Sequence, residues 1–273
     1  PYTDWIDECH NLLEALENYY NNSSDNVSER YNNCEHNLRL LYEDYGSIIQ
    51  KLTNQLNVSK HPQMIRRNIV RTYLYRGDYT DKEKTIGQIT KLMEQNILDE
   101  PDNERNFFLW FKAARYSRFL TIDDILAKLA QWSSLSSSID VIFYHYTFYA
   151  IKALEGSNMA AQTCRRLIDD CKNRGGNKKI GIREWYGKAP QKLLSNLTAS
   201  PSDNQDAFYR VKGMVSDYEH AGSAKITTDQ GLEVFFNPGK NNLTRDNLNS
   251  SVTFFLGFSY DGLRAEYVEL VKE

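Results

Sequence analysis

The chain has 273 residues, a formal net charge of −3 and a mean hydropathy of −0.62, values typical of a soluble protein large enough for two domains. This balance excludes a strongly basic nucleic-acid-binding protein and an acidic tail. No run approaches eighteen consecutive apolar residues and no charged-then-apolar leader is present, so we expect neither a membrane span nor export.

The first half of the chain follows a helical pattern. Apolar residues recur at helical spacing over 4–20, and an Asn-rich break follows at 21–26. A second helix is predicted across Leu38, Leu41, Tyr45, Ile48 and Leu52, ending before His61-Pro62 because proline disfavours helix at the residue before it. Six further helices are predicted: Met64–Tyr75, Ile86–Ile97, Glu104–Ser117, Ile122–Trp132 with Thr121 as N-cap, Ile139–Leu154 and Met159–Lys172.

These helices form a regular array. The step from Glu104 to Ile139 is close to the thirty-four-residue period of tetratricopeptide (TPR) hairpins. Small residues recur where two helices of such a hairpin approach closely, at Ala150, Gly156 and Ala160. We therefore predict divergent TPR-like repeats over 1–173. Two aromatic clusters are interpreted as core, with lining of a concave groove as the alternative: Phe107, Phe108, Trp110, Phe111, and Tyr144, Tyr146, Phe148, Tyr149.

A basic connector is predicted over 174–206. From Arg165 to Lys192 the sequence has nine Lys/Arg and three Asp/Glu, a local charge of +6. Gly181 to Lys188 superficially suggests a phosphate-binding P-loop. Five residues rather than four separate Gly181 from Gly187, and Ala189 replaces the Ser or Thr that binds magnesium, so the motif is rejected.

No catalytic or metal motif occurs in the sequence. The cysteines (Cys9, Cys34, Cys164, Cys171) form no CxxC pair, and the five histidines have no partner at ligand spacing. We expect free thiols in a reducing cytoplasm, no cofactor and no enzymatic activity. Because the helical pattern begins at once after Pro1, we interpret the chain as a piece of a longer polypeptide.

The pattern changes to strands over 207–273. Alternating apolar residues predict five strands near 209–217, 223–228, 232–237, 251–258 and 264–271. A long connection follows the third strand. Five short strands in this arrangement predict a small barrel. The fold class is therefore α then β: a helical array followed by a five-stranded OB-like β-barrel.

Several runs in this last segment resemble the cold-shock domain, an oligonucleotide-binding barrel: Lys212-Gly-Met-Val215, Val234-Phe-Phe236, Val252-Thr-Phe254 and Gly262-Leu-Arg-Ala265. The resemblance implies that single-stranded bases stack on aromatics of the second and third strands. Phe235 matches a stacking phenylalanine. Asn237 and Pro238 stand where the family has histidine and phenylalanine, Ser223 and Lys225 replace aromatics, and Asp217 lies near the position of a surface tryptophan.

The charge of the barrel also departs from that of a nucleic-acid binder. From Phe208 onward seven Lys/Arg face nine Asp/Glu, a net charge of −2. Phosphate contacts supply most non-specific affinity, so the barrel alone is expected to bind nucleic acid poorly. Any phosphate contact is predicted in the basic connector instead.

A second resemblance covers more of the chain. A helical array, the run Glu184-Trp-Tyr-Gly-Lys188, and a barrel carrying Phe235-Phe-Asn-Pro-Gly239 and Leu256-Gly-Phe-Ser-Tyr-Asp-Gly-Leu-Arg-Ala265 resemble the C-terminal part of the sterile alpha motif domain-containing protein 9 family and its bacterial relatives. The family implies a nucleotide-binding switch domain upstream, so this piece would be the sensing end of a defence protein.

These observations give one leading hypothesis and one alternative. The leading hypothesis is a non-catalytic cytoplasmic interaction module of a larger defence NTPase. Its partners would be the upstream domains and a protein or RNA/DNA trigger, with no membrane. The alternative is a single-stranded RNA-binding regulator that uses Phe235, Lys225 and Tyr218. Taken together, the candidate ligand contacts are Phe235, Asn237, Lys225, Tyr218, Lys178, Lys179, Arg183, Trp185 and Lys188.

Overall fold

The fold was obtained as a computed structural model, which describes residues 36–37, 39–40, 43–76, 82–114, 121–136, 138–175, 181–188 and 200–271. The helix predicted over 4–20 and the break that follows it lie outside these residues, as do Cys9 and Cys34. In the described part of the chain, helices come first and strands follow, so the predicted α-then-β order is confirmed.

Seven helices are described. They are α1 (Tyr45–Leu56), α2 (Pro62–Arg76), α3 (Lys82–Asp99), α4 (Glu104–Ala114), α5 (Ile122–Leu135), α6 (Ile139–Leu154) and α7 (Asn158–Gly175). The largest difference from prediction is at α1, which begins at Tyr45 rather than continuing unbroken from Leu38. Asp44 has an extended backbone, and its carboxylate accepts a hydrogen bond of 2.9 Å from the Ser47 amide, so it caps a new helix.

Helix α5 begins where the sequence predicted. The Thr121 hydroxyl accepts a hydrogen bond of 3.2 Å from the Asp124 amide. The Asp124 carboxylate in turn accepts one of 2.8 Å from the Thr121 amide. This reciprocal capping box satisfies two backbone donors at the helix start.

The described chain packs as two compact units. One holds α1 to α4 (1–100 with 105–113), and the other holds α5 to α7 and all the strands (101–104 with 114–273). The predicted domain boundaries near 173 and 206 follow the change of secondary structure. The division between the two units lies near residue 100, and α5 to α7 fall in the same unit as the strands, where the Tyr146 hydroxyl donates to the Ser259 carbonyl.

Five strands close into a barrel. They are β2 (Arg210–His220), β3 (Ser223–Thr228), β4 (Glu233–Phe236), β5 (Ser251–Ser259) and β6 (Gly262–Leu270). Antiparallel pairing joins β2 to β3, β3 to β4, β5 to β2 and β5 to β6. A parallel pairing of β4 with β6, with Phe235 opposite Arg264, closes the sheet. The predicted strands differ from these by at most three residues at any end.

The connector segment, which we define as residues 181–188, adds a short strand to this barrel. Within it β1 (Glu184–Trp185) pairs antiparallel with Phe258 and Gly257 of β5. The chain then bends toward β2, where Gly187 bridges to Phe208. The connector segment is therefore part of the sheet rather than a free linker.

The core of this unit is aromatic. Thirteen of the sixteen residues of α6 are buried, because it packs against α5, α7 and the barrel. Tyr144, Tyr146 and Phe148 are among them, and in the other unit only Phe108 of the first predicted cluster reaches solvent appreciably. The core interpretation is confirmed for six of the eight residues, whereas Phe108 is exposed and Tyr149 is half-buried. Cys164 and Cys171 are both buried, as expected.

His145 of α6 is buried among apolar neighbours, with its ring 5.1 Å from the Tyr149 ring. Burial, helped by the positive charge of Arg166, lowers the pKa of His145 to about 4. Above pH 6.5 the folded and unfolded chains both hold it neutral. As the pH falls from 6.5 toward 4, His145 becomes protonated in the unfolded chain but stays neutral in the folded chain. The free energy of unfolding therefore decreases.

We expect protonation of His145 in the unfolded chain to lower the free energy of unfolding by about 2 kcal/mol between pH 7 and pH 5. Urea unfolding followed at both pH values measures it. His145→Phe should remove that part of the pH dependence. An equal pH dependence in wild type and His145→Phe would contradict the assignment.

Candidate functional site

The strand registers place six residues in one row across the outer face of the barrel. Each member lies directly opposite the next on the neighbouring strand: Trp185, Gly257, Arg264, Phe235, Lys225 and Asp217. Strands are spaced by about 4.8 Å, so Trp185 and Phe235 are separated by about 14 Å along the sheet surface. The row brings together residues from five strands and the connector segment.

A cleft of about 650 Å³ opens on this row, and we call it the β4–β6 cleft. Its walls combine aromatic rings, two cationic side chains, one carboxylate and several amides. The lining residues are Gly181, Ile182, Trp185, Ser200, Phe235, Phe236, Asn237, Lys240, Asn241, Arg264, Ala265, Glu266 and Tyr267. Apolar surface to exclude water and a few polar groups to orient a ligand are the usual features of a binding site.

One wall of the cleft is formed by the connector segment, which packs against Gly257 of β5. A Cβ atom at Gly257 would lie 2.7 Å from Cγ2 of Ile182, so only glycine lets the connector segment approach β5 this closely. The amides of Arg183 and Tyr186 each donate a 2.8 Å hydrogen bond to β5, to the carbonyls of Phe258 and Leu256. The wall is therefore held by backbone pairing and by close packing.

The opposite wall contains a cation–π pair. The Arg264 guanidinium carbon lies 4.3 Å from the centre of the Phe235 ring and covers one of its faces. Burial lowers the pKa of Arg264, and the carboxylate of Asp261, 3.4 Å away, opposes that change. An arginine remains charged in such a setting. A planar ligand group can therefore stack only on the uncovered face of Phe235 or continue the stack over the guanidinium.

The loop after β4 forms the end of the cleft. The Asn237 side-chain oxygen accepts a hydrogen bond of 3.1 Å from the Lys240 amide. The side chain of Asn241 donates to the Asn237 carbonyl at 2.7 Å and accepts from the Val268 amide at 2.8 Å. Asn242 adopts φ 54°, a left-handed conformation that asparagine tolerates. This network ties the loop to β6 and gives the cleft a rigid end.

Three of the nine predicted contacts meet in the β4–β6 cleft: Trp185, Phe235 and Asn237. Lys225 lies beside Phe235 on the outer face, with its ammonium 3.9 Å from Glu233. Tyr218, on β2, lines no part of the cleft. The exposed Lys188 lies at the far end of the connector segment. Lys178 and Lys179 lie outside the described residues.

Arg183, which was predicted as a ligand contact, does not line the cleft but contacts helix α6. Its guanidinium donates a hydrogen bond of 2.7 Å to Asp140 of α6, whose side chain is only 4 % exposed. It also stacks 4.7 Å from the centre of the Tyr260 ring, and the Tyr260 hydroxyl donates to the same carboxylate. The guanidinium therefore neutralises a buried charge, and a phosphate could engage it only by competing with Asp140.

Ten of the thirteen lining residues were not predicted as contacts, among them Lys240, Asn241, Arg264 and Tyr267. Arg264 belongs to the Gly262-Leu-Arg-Ala265 run that supports the barrel resemblance, but nothing in that run indicates a place in a binding site. The position of Arg264 in the cleft depends on the parallel pairing of β4 with β6, and no local pattern in the sequence predicts that pairing. Its cation–π pairing with a ring 29 positions earlier is likewise a long-range contact.

The fold and the cleft define the class: a set of helices followed by a closed five-stranded barrel with a cleft on its outer face. In the part of the chain that the structure describes, no helix is both long and apolar enough to cross a bilayer. Among the same residues no group of three or more His, Cys, Asp or Glu is placed to hold a metal ion. No protein-family model, curated protein or solved structure matches the chain.

Proposed function

We propose that the chain is a non-catalytic interaction module that binds its ligand in the β4–β6 cleft. The observation that carries this proposal is the composition of the cleft. Trp185, Phe235 and Tyr267 offer aromatic surface, while Lys240 and Arg264 offer positive charge on a barrel whose net charge is −2. A cationic, aromatic cleft on an acidic domain favours a specific ligand over non-specific attraction of polyanions.

We also propose that the barrel is OB-like and that the helices are divergent TPR-like hairpins. Five strands, a long connection after β4 and the placing of β4 beside β6 support the first part. The hairpin of α6 and α7 supports the second. Its turn contains Gly156 at φ 105°, and buried small residues let the two helices approach closely: Ala150, Ala153, Ala160, Ala161 and Cys164.

In its biological setting, we propose that this module is the sensing end of a larger intracellular defence NTPase. The support is the resemblance of the repeat, connector and barrel runs to that family. The ligand would be a protein or nucleic-acid trigger, and the upstream domains would receive the signal. Sequencing the gene upstream of Pro1 tests this setting, and a gene without a nucleotide-binding domain there would exclude it.

Binding in the cleft is tested with two probe sets: a displayed peptide library, and fluorescein-labelled single- and double-stranded oligonucleotides. We expect a selected probe to lose at least tenfold in affinity on Phe235→Ala and on Lys240→Ala. Met214→Ala is the matched control, because Met214 is 46 % exposed on the same barrel and does not line the cleft. Equal affinity for all variants would place the site elsewhere.

Single-stranded RNA binding is the second candidate function. The observation in its favour is that Lys225 lies directly opposite Phe235, so a charge and a ring stand side by side. Base stacking contributes about 1–3 kcal/mol, so Phe235→Ala should weaken RNA binding about 5- to 150-fold.

Fluorescence anisotropy with single-stranded RNA at 50 and 200 mM salt measures this effect. Absence of binding at the lower salt would exclude the RNA function. Binding that survives Phe235→Ala but is lost on replacing Lys178, Lys179 and Lys188 would move the site to the basic connector.

A further inference from the structure

Side-chain contacts connect both walls of the β4–β6 cleft to helix α6. The connector-side wall includes Ile182 and Trp185, and the two residues between them, Arg183 and Glu184, contact the helix with their side chains. Arg183 makes its 2.7 Å ion pair with Asp140, and the Glu184 carboxylate accepts a hydrogen bond of 3.3 Å from the Tyr144 hydroxyl. One stretch of four residues is therefore both cleft wall and helix contact.

The opposite wall reaches the same helix by a second path. Arg264, which covers Phe235, donates from Nε to the Ser259 hydroxyl at 3.4 Å. The backbone carbonyl of Ser259 accepts a hydrogen bond from the Tyr146 hydroxyl, and both of these residues are fully buried. Arg264 is therefore linked to helix α6 through Ser259, which bonds to Arg264 with its side chain and to Tyr146 with its backbone.

Both paths end close together. Asp140, Tyr144 and Tyr146 lie in the first eight residues of α6, within about two helical turns. Burial, together with the negative charge of Glu184, raises the pKa of Tyr144 above its ordinary value, so its hydroxyl keeps the proton that it donates. The Tyr146–Ser259 bond is buried, and the Arg183–Asp140 and Tyr144–Glu184 contacts are partly buried. All three are directional, so a displacement of the wall would break or weaken them.

We propose that the β4–β6 cleft is coupled to helix α6, so that displacement of the connector-side wall by a ligand loosens the first two turns of the helix. This inference rests on the proposed function in taking the cleft as the binding site. The physical reason is the buried Asp140 carboxylate. If the connector segment moves, Arg183 withdraws from a charge that water cannot solvate, and the helix must open to rehydrate it.

Coupling between two places is reciprocal, so it can be measured from either end without a ligand. Hydrogen exchange with mass spectrometry on the whole chain reports the opening of each element. From the cleft end, Trp185→Ala should raise exchange in residues 139–147 at least tenfold. From the helix end, Tyr144→Phe removes one hydroxyl, keeps the ring, and should raise exchange at the Arg183 and Tyr186 amides.

Two control variants and one internal reference make the result specific. Met214→Ala lies on the barrel away from both paths, and Lys240→Ala lines the cleft without contacting α6, so both should leave residues 139–147 unchanged. Helix α5 is the internal reference, because neither path reaches it. Faster exchange confined to 181–188 and β5 in Trp185→Ala would overturn the proposal, and so would a uniform rise that includes α5.

Failure of this proposal and failure of the proposed function are distinguishable. A cleft that binds a probe but shows no effect on α6 would be a simple binding site. Exchange that responds in both directions while no probe binds would leave the coupling in place and remove the ligand site.

Discussion

Arg183→Ala is expected to destabilise the unit that contains the barrel by about 3 kcal/mol. The Asp140 carboxylate would stay buried with its charge uncompensated, since its side chain is only 4 % exposed. The Tyr260 hydroxyl would still donate to it, but one neutral donor does not replace a guanidinium. Urea unfolding of wild type and variant at pH 7 measures the difference.

Arg210→Ala is the matched control for this prediction. Arg183 and Arg210 both have side chains that are 29 % exposed, and each guanidinium stacks on an aromatic ring, at 4.7 and 4.5 Å respectively. They differ in the carboxylate partner, because Glu269 is 63 % exposed where Asp140 is buried. A solvated carboxylate needs no counter-ion, so Arg210→Ala should cost less than about 1 kcal/mol.

A double variant separates loss of charge from loss of packing. If the uncompensated carboxylate causes the loss, Asp140→Asn should recover part of the stability that Arg183→Ala removes, because the double variant buries no charge. Equal losses for Arg183→Ala and Arg210→Ala, with no recovery in the double variant, would contradict this account.

Gly213→Ala is the second change with a large expected effect, a loss of about 1–3 kcal/mol. Gly213 lies in β2 and is buried. An added Cβ would lie 2.6 Å from Cγ2 of Ile226 and 2.7 Å from the carbonyl oxygen of Thr227. The second neighbour is backbone, which cannot rotate away, so β2 and β3 would have to separate.

The same substitution has the opposite expected sign at Gly87. This residue is exposed in the interior of helix α3, and a Cβ there meets nothing within 4 Å. Alanine is the better helix former, so Gly87→Ala should stabilise its unit by about 0.5–1 kcal/mol. Thermal unfolding of both variants tests the pair. A raised Tm for Gly213→Ala would contradict the strand-contact argument, and a lowered Tm for Gly87→Ala would contradict the helix-propensity argument.

Elements specified by local patterns were predictable. Thr121 with Asp124 marks the start of α5, and alternation at Val234 and Phe236 marks β4, because each signal lies within a few residues of the element that it sets. The missed boundary at Asp44 had a local signal too, a capping aspartate. It was outweighed by an apolar spacing that continued past it.

The candidate site was predictable only in part. Trp185, Phe235 and Asn237 stood out as residues of a family-like pattern, and the structure places all three in the β4–β6 cleft. Arg183 stood out for its charge, but its partner Asp140 is 43 residues away in a helix. Formal charge can be counted along a sequence, whereas the burial of the carboxylate that uses it depends on the packed core.

The sequence by itself determined the order of helices and strands and the aromatic core of α6. Only the tertiary structure decided which residues share a surface. The closure of β4 on β6 sets Arg264 against Phe235, and the pairing of the connector segment with β5 sets Trp185 across Gly257. The physical reason is that hydrophobic periodicity specifies which face of an element is buried, while strand register and closure arise from contacts between residues far apart in the chain.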